Sequence, residues 1–165
     1  MTDDFADVIA ANRRYAAEFH LSGLKPVAAA GLAVVTCMDS RIEPLAMLGL
    51  KPGDAKIMRN AGARVTTDVL RTLVVATHLL GVRRVMVVPH TKCKMSMVTK
   101  AEIEALIRAQ SGVDVRSLDF GVVTDQRRVL SDDVQRIRSW PFLPSGTLVG
   151  GFVYDVDSGL LAHVA

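Results

Sequence analysis

The sequence predicts a single α/β domain over residues 1–165, with a mostly parallel central sheet, one antiparallel edge strand and flanking helices. Three observations predict it. Short apolar runs of strand length alternate with stretches whose apolar residues recur at helical spacing, the pattern of βαβ units. Residues 31–36, Gly-Leu-Ala-Val-Val-Thr, lack polar alternation, as expected of a strand buried on both faces. At the C-terminal end, Asp157-Ser-Gly159 separates two apolar runs, a hairpin signal that supplies the antiparallel edge.

The elements follow in order. Residues 3–20 place Phe5, Val8, Ile9, Tyr15, Ala16 and Phe19 at helical spacing, with Asp3 and Asp4 suited to the positive end of the helix. After the strand at 31–36, residues 40–50 read as a short helix ended by Gly49, and Lys51-Pro-Gly-Asp54 as a turn. Residues 55–59 make a second strand. Thr67 is the expected N-cap of a helix carrying Val69, Leu70, Leu73, Val74, Thr77 and Leu80 on one stripe, stopped by Gly81. Residues 82–88 read as the central strand. Thr99-Lys-Ala-Glu102 is a capping box opening a helix with Ile103, Leu106 and Ile107 inward. Residues 113–123 are expected to add a strand, and Ser131-Asp-Asp to open a helix bearing Val134, Ile137 and Trp140, closed by Pro141. Residues 148–156 and 160–164 form the hairpin.

Composition removes several function classes. Half of the 165 residues are hydrophobic and 22% are charged, which excludes a disordered chain. Two cysteines exclude a disulfide scaffold. Net charge is only +3, the basic pairs Arg13-Arg14, Arg83-Arg84 and Arg127-Arg128 are dispersed, and aromatics are 5%. That argues against a nucleic-acid surface, which needs clustered cations or stacking platforms. No apolar run approaches a membrane span, and Met-Thr-Asp-Asp lacks the basic start of a signal peptide. The expectation is a cytoplasmic protein with reduced thiols, no membrane contact and no nucleic acid.

Ligands of an open parallel sheet bind beyond the carboxyl ends of its strands. Two apolar runs end there in reactive residues: Cys37-Met-Asp39-Ser-Arg41 and His90-Thr-Lys-Cys93. Each piece alone has a bland reading: a small core cysteine, a surface ion pair, a hydrogen-bonded core histidine. Together, His90 and Cys93 lie one turn apart and Cys37 supplies a third ligand from another strand end. Thiolate and imidazole suit Zn2+. Structural zinc takes four such ligands; with no third cysteine, three ligands and one open position match the catalytic pattern. Two thiolates cancel the metal's charge, so zinc-bound water is less acidic than at an all-histidine site. Arg41 can pair Asp39 and keep it an oriented acceptor for zinc-bound hydroxide; alternatively, Asp39 turns onto zinc and closes the site. Activity is expected to rise with pH. His20, His78 and His163 read as structural or surface residues, Met95 and Met97 as core filler, and Gly62 as a turn residue at positive φ.

Cys37-x-Asp39-Ser-Arg41, Arg59-Asn-Ala-Gly62 and His90-Thr-x-Cys93, running on to the Tyr154-Asp-Val-x-Ser-Gly159 turn, resemble a β-class carbonic anhydrase of the short bacterial type. The resemblance implies one zinc per subunit on Cys37, His90 and Cys93, a catalytic dyad of Asp39 and Arg41, and Asp39 as the fourth ligand of a closed form. It also implies reversible hydration of CO2 to bicarbonate and a proton through zinc-bound hydroxide. Obligate homodimers or higher homo-oligomers, with the cleft at the subunit interface and residues 1–22 packing on a partner, complete the implied picture. One departure stands out: Lys94 replaces the glycine usual after the second cysteine, and either points outward or narrows the cleft.

Three other functions compete. A close variant hydrolyses a sulfur analogue, carbonyl sulfide or carbon disulfide. A non-catalytic zinc or bicarbonate-responsive module keeps Asp39 on the metal. A redox switch would use Cys37 and Cys93 as a dithiol, leaving Asp39, Arg41 and His90 without a role.

Overall fold

A computed structural model describes residues 4–165. Five strands form one sheet in the order β2-β1-β3-β4-β5: β1 (Leu32–Cys37), β2 (Ala55–Asn60), β3 (Arg84–Val88), β4 (Leu148–Tyr154) and β5 (Leu161–His163). β1 pairs in parallel with β2 and β3, β3 pairs in parallel with β4, and only β4–β5 is antiparallel. Among the described residues the α-helices are α1 (Ala6–Ala17), α2 (Thr67–Leu79), α3 (Lys100–Ser111) and α4 (Gln126–Arg138).

All six residues of β1 are buried, so the unalternating run reflects cover on both faces. Ala33, Val35, Val85 and Val87 point to one face, where α2 contributes Val69, Leu70, Leu73 and Ala76, and α4 contributes Leu130, Val134 and Ile137. Leu32, Val34 and Val88 point the other way, against Leu48, Leu50, Ile57, Phe152 and Leu161. Period-two alternation thus divides each strand between two apolar layers.

Several boundaries differ from expectation. Residues 40–50 hold only a 3-10 turn, Ala46–Leu48, capped by Gly49 at φ 65°. Asp39 Oδ1 accepts the Arg41 amide at 3.0 Å, giving the backbone a local alternative to a helix, and Pro44 can donate no helical hydrogen bond. Thr66, not Thr67, caps α2, its hydroxyl accepting from the Val69 amide at 3.3 Å. The Thr99–Glu102 capping box is present, but α3 buries no residue and Leu106 is 57% exposed. Residues 113–123 form no strand: Asp114 and Asp119 accept the Arg116 and Gly121 amides, replacing ladder bonds with turns. α4 starts one turn early because Asp125 caps the Arg127 and Arg128 amides; Ser131 lies inside it, and Trp140 lies beyond its end. Met97 is 66% exposed and so is not core filler. Asp3 lies outside the described residues, whereas α1 forms as expected with no buried residue. Among the described residues, no helix is long and apolar enough to cross a membrane.

Candidate metal centre

Parallel pairing brings the C-terminal ends of β1 and β3 side by side, and with them the two reactive segments. Cys37 is the last residue of β1. Beyond β3, Pro89 offers no amide, but its carbonyl accepts the Tyr154 amide at 2.9 Å and the Thr91 amide bonds back to Tyr154 at 2.9 Å. The β3–β4 pairing therefore continues past the proline as a bridge between His90 and Tyr154. Thr91 closes this side: its hydroxyl accepts the Val156 amide at 3.1 Å from the β4–β5 turn.

Cys37, His90 and Cys93 are all buried, and their ligand atoms lie within 4.8 Å of one another. The sulfurs are 3.9 Å apart. Two Zn–S bonds of about 2.3 Å at the tetrahedral angle put sulfurs about 3.8 Å apart. The histidine is set up to complete the group. Its Nδ1 is 2.8 Å from the Thr91 carbonyl, which can only accept, so Nδ1 carries the proton. Nε2 is left as a lone-pair acceptor, buried and without a hydrogen-bond partner. A buried polar atom in that state is costly unless something occupies it. Gln126, at the start of α4, donates to the His90 carbonyl at 2.7 Å and fixes the backbone behind the ring.

The thiols behave as a pair. Donation from the Cys93 thiol is the largest influence on Cys37; His90 and the Gly62 and Asp39 amides add to it, burial opposes, and its pKa falls to about 3. Cys93, donating to that sulfur and itself buried, is raised above its ordinary value. One proton is thus shared between the two sulfurs. Burial opposes a charged His90, but attraction to the Cys37 sulfur and the charges of Cys37 and Asp39 outweigh it, so its pKa is raised. That attraction is not a formed hydrogen bond, since Nε2 has no hydrogen-bond partner.

Asp39 sits beside this group, with Oδ2 3.6 Å from His90 Nε2. Arg41 grips it with two parallel bonds, Nε to Oδ1 at 2.9 Å and a terminal nitrogen to Oδ2 at 2.8 Å. These bonds, with the Arg41 amide, hold the Asp39 carboxyl well below the usual carboxylate range. Arg41 also donates to the Lys92 carbonyl at 3.2 Å. Lys92 presents that carbonyl from a left-handed backbone, φ 53°. Arg59 secures the other side, donating to the carbonyls of Cys37 at 3.0 Å and Asp39 at 2.7 Å.

All five residues singled out in the sequence therefore meet in one place. Lys94 is exposed and opens a 3-10 turn (Lys94–Ser96), and the positive φ falls at Lys92 instead. His20, His78 and His163 are exposed and away from the group. Sequence reasoning missed Gln126, whose contact spans 36 residues and carries no motif. It placed Arg59 at the end of a strand and in the Arg59-Asn-Ala-Gly62 motif but gave it no role at the site.

Comparison with known proteins decides the family. Residues 32–114 match the protein family described as "Carbonic anhydrase". The chain is 34% identical to "Beta-carbonic anhydrase 1" of Mycobacterium tuberculosis, over 99% of this chain and 98% of that one. The chain belongs to the β-carbonic anhydrase family. Its fold agrees with the crystal structure of carbonic anhydrase from Streptococcus mutans, at TM-score 0.92 and 35% identity, covering 100% of this chain and 99% of that one. A carbon disulfide hydrolase of Saccharolobus solfataricus is also similar, at 28% identity over 77% of this chain and 74% of its own length. In this β-carbonic anhydrase the Cys–His–Cys group fits zinc by donor type, by sulfur spacing and by the unpartnered Nε2.

Proposed function

We propose that this chain catalyses the reversible hydration of CO2 to bicarbonate and a proton, with Cys37, His90 and Cys93 holding one zinc ion and Asp39 and Arg41 acting beside it. The observation that carries the proposal is the buried, unpartnered His90 Nε2 facing two thiols, with an Arg-paired carboxylate 3.6 Å away. Bound there, zinc would supply Lewis-acid activation of water for attack on the carbon of CO2.

The protein's own groups do the rest. Cys37 and Cys93 give up the proton they share on taking the metal, and Thr91 holds His90 in the Nδ1–H tautomer that leaves Nε2 to ligate. Asp39, with both oxygens turned by Arg41, is an acceptor that orients the attacking water. Because that pairing keeps its pKa low, Asp39 is a poor resting place for a proton, which passes on to solvent. Arg41 also restrains Asp39 from turning onto the metal, which favours turnover over a permanently closed module. Hydrolysis of a sulfur analogue is a second reading, supported by the similarity to carbon disulfide hydrolase.

A homodimer or higher homo-oligomer belongs to the same proposal. α1 leaves Val8, Ile9 and Tyr15 exposed, with Phe5 and Phe19 exposed at its two flanks. The sheet face away from α2 and α4 carries an apolar groove of about 470 Å3 lined by Leu32, Leu48, Leu50, Met86, Leu148 and Phe152. Residues 1–22 packing on a partner subunit would cover apolar surface of this kind. A reducing compartment such as the cytoplasm suits the two thiols.

Cys37→Ala tests the assignment. It should lose both zinc and CO2 hydration in a stopped-flow assay; a fully active Cys37→Ala protein would falsify the proposal.

A further inference from the structure

A charged residue is buried in the middle of the protein, far in sequence from Cys37, His90 and Cys93. Asp133 is 4% exposed, on the face of α4 otherwise formed by Leu130, Val134 and Ile137. A carboxylate is costly to bury without partners, so its contacts show what it is for. Its Oδ2 accepts from Arg64 Nε at 2.8 Å and from the Val65 amide at 3.2 Å. One turn further along α4, Arg136 donates to the Val65 carbonyl at 2.7 Å. Helix α4 thus holds both polar groups of Val65. From the other end of the segment, the Asn60 side chain holds both polar groups of Arg64, accepting its amide at 2.8 Å and donating to its carbonyl at 2.7 Å.

Between these clamps lie Ala61, Gly62 and Ala63. Gly62 and Ala63 are both left-handed, at φ 80° and 58°, a conformation that a non-glycine residue keeps only when its surroundings impose it. Ala63 is buried in the same small cluster as Cys37 and Cys93. Gly62 lies against Met95, two residues beyond Cys93; a Cβ there would be 3.4 Å from the Met95 Cβ. The clamped segment therefore runs along both sulfur-bearing arms.

We propose that Asp133 is a positioning residue for the metal centre: through Arg64 and Val65 it sets the strained Ala61–Ala63 turn against the two cysteines. Ala63, buried in one cluster with Cys37 and Cys93, is the point where the turn meets the two cysteines. The inference rests on zinc being held by Cys37, His90 and Cys93. Outer groups that orient metal ligands affect binding by roughly ten- to a hundred-fold. Asp133 stands one step further back.

The test uses the full chain as wild type, Asp133→Asn and Arg64→Gln. Three quantities are measured: zinc affinity by chelator competition, the thiolate-to-metal absorption band after cobalt(II) substitution, and the Tm of the metal-free protein. The expected result is zinc binding weakened about ten-fold or more in both variants, with a shifted cobalt band. Should Asp133→Asn fail to fold, Arg64→Gln carries the same test, since Arg64 is partly exposed at 27%, its replacement keeps an amide donor, and the Val65 amide still donates to Asp133. A fall in metal-free Tm, with zinc affinity and cobalt band as in wild type, would show a merely structural clamp and overturn the inference. A wild type that takes up no zinc overturns the metal assignment itself, a separate failure.

Discussion

Replacing Arg41 with alanine removes two of the three bonds that aim Asp39, leaving the carboxylate only the backbone amide of residue 41. The Arg41 side chain is 48% exposed and that of Asp39 19%, so the pair is solvent-screened and its strength lies toward the surface range. Bidentate, charge-assisted geometry raises it above a median surface pair. Its loss is expected to shift the balance between Asp39 held by Arg41 and Asp39 turned toward the metal by a factor of roughly 5–30. Asp39 Oδ2 already lies 3.6 Å from His90 Nε2, so the competing position is a side-chain rotation away. Arg41→Ala should therefore lower kcat/KM for CO2 hydration by about that factor, with zinc content unchanged. Stopped-flow hydration beside metal analysis measures both. A zinc-replete Arg41→Ala enzyme within about twofold of wild type would refute the reasoning, because the dyad would then not control Asp39.

Zinc uptake should be linked to pH. Cys93 is held above its ordinary pKa by Cys37, so thiol protons occupy the site before the metal does. Binding expels them, and apparent affinity should climb with pH by about tenfold per unit for each proton released. Calorimetry in two buffers of different ionisation enthalpy counts those protons, and a count of zero would rule out the shared-proton pair. In the core, Gly151→Ala places a Cβ 3.0 Å from Leu130 Cγ and Val134 Cγ2. Overpacking of this kind costs about 1–3 kcal/mol. For a chain of this size each kcal/mol lowers Tm by about 2–4 °C. An unchanged melting curve would mean α4 can move off the sheet without cost.

The strongest local signals were legible from residues alone. The Thr99–Glu102 box and the Asp157–Gly159 turn each depend on interactions within a few residues, and the unalternating run at 31–36 carries its burial on both faces in its composition. α3 shows the limit of that reasoning. Its stripe of Ile103, Leu106 and Ile107 has the period of a buried face, yet no residue of the helix is buried, because periodicity states that a face is apolar and not what covers it. The segment at 113–123 failed differently: its apolar residues suit a strand, but Asp114 and Asp119 satisfy the backbone locally in turns.

For the centre itself, residue types and the His-x-x-Cys spacing were enough to name Cys37, His90 and Cys93 as a three-ligand set and Asp39 with Arg41 as its neighbours. Donor chemistry is a property of side chains, and one turn of backbone fixes how near two of them lie. Folding added the relations that cross the chain. Parallel pairing of β1 with β3 brings sulfurs 56 residues apart to 3.9 Å. Thr91 selects the tautomer of His90, Arg59 and Lys92 hold the Asp39–Arg41 pair in place, and Gln126 and Asp133 reach in from α4. Such contacts leave no trace in local pattern, because a hydrogen bond needs only that two atoms meet, whatever the number of residues between them.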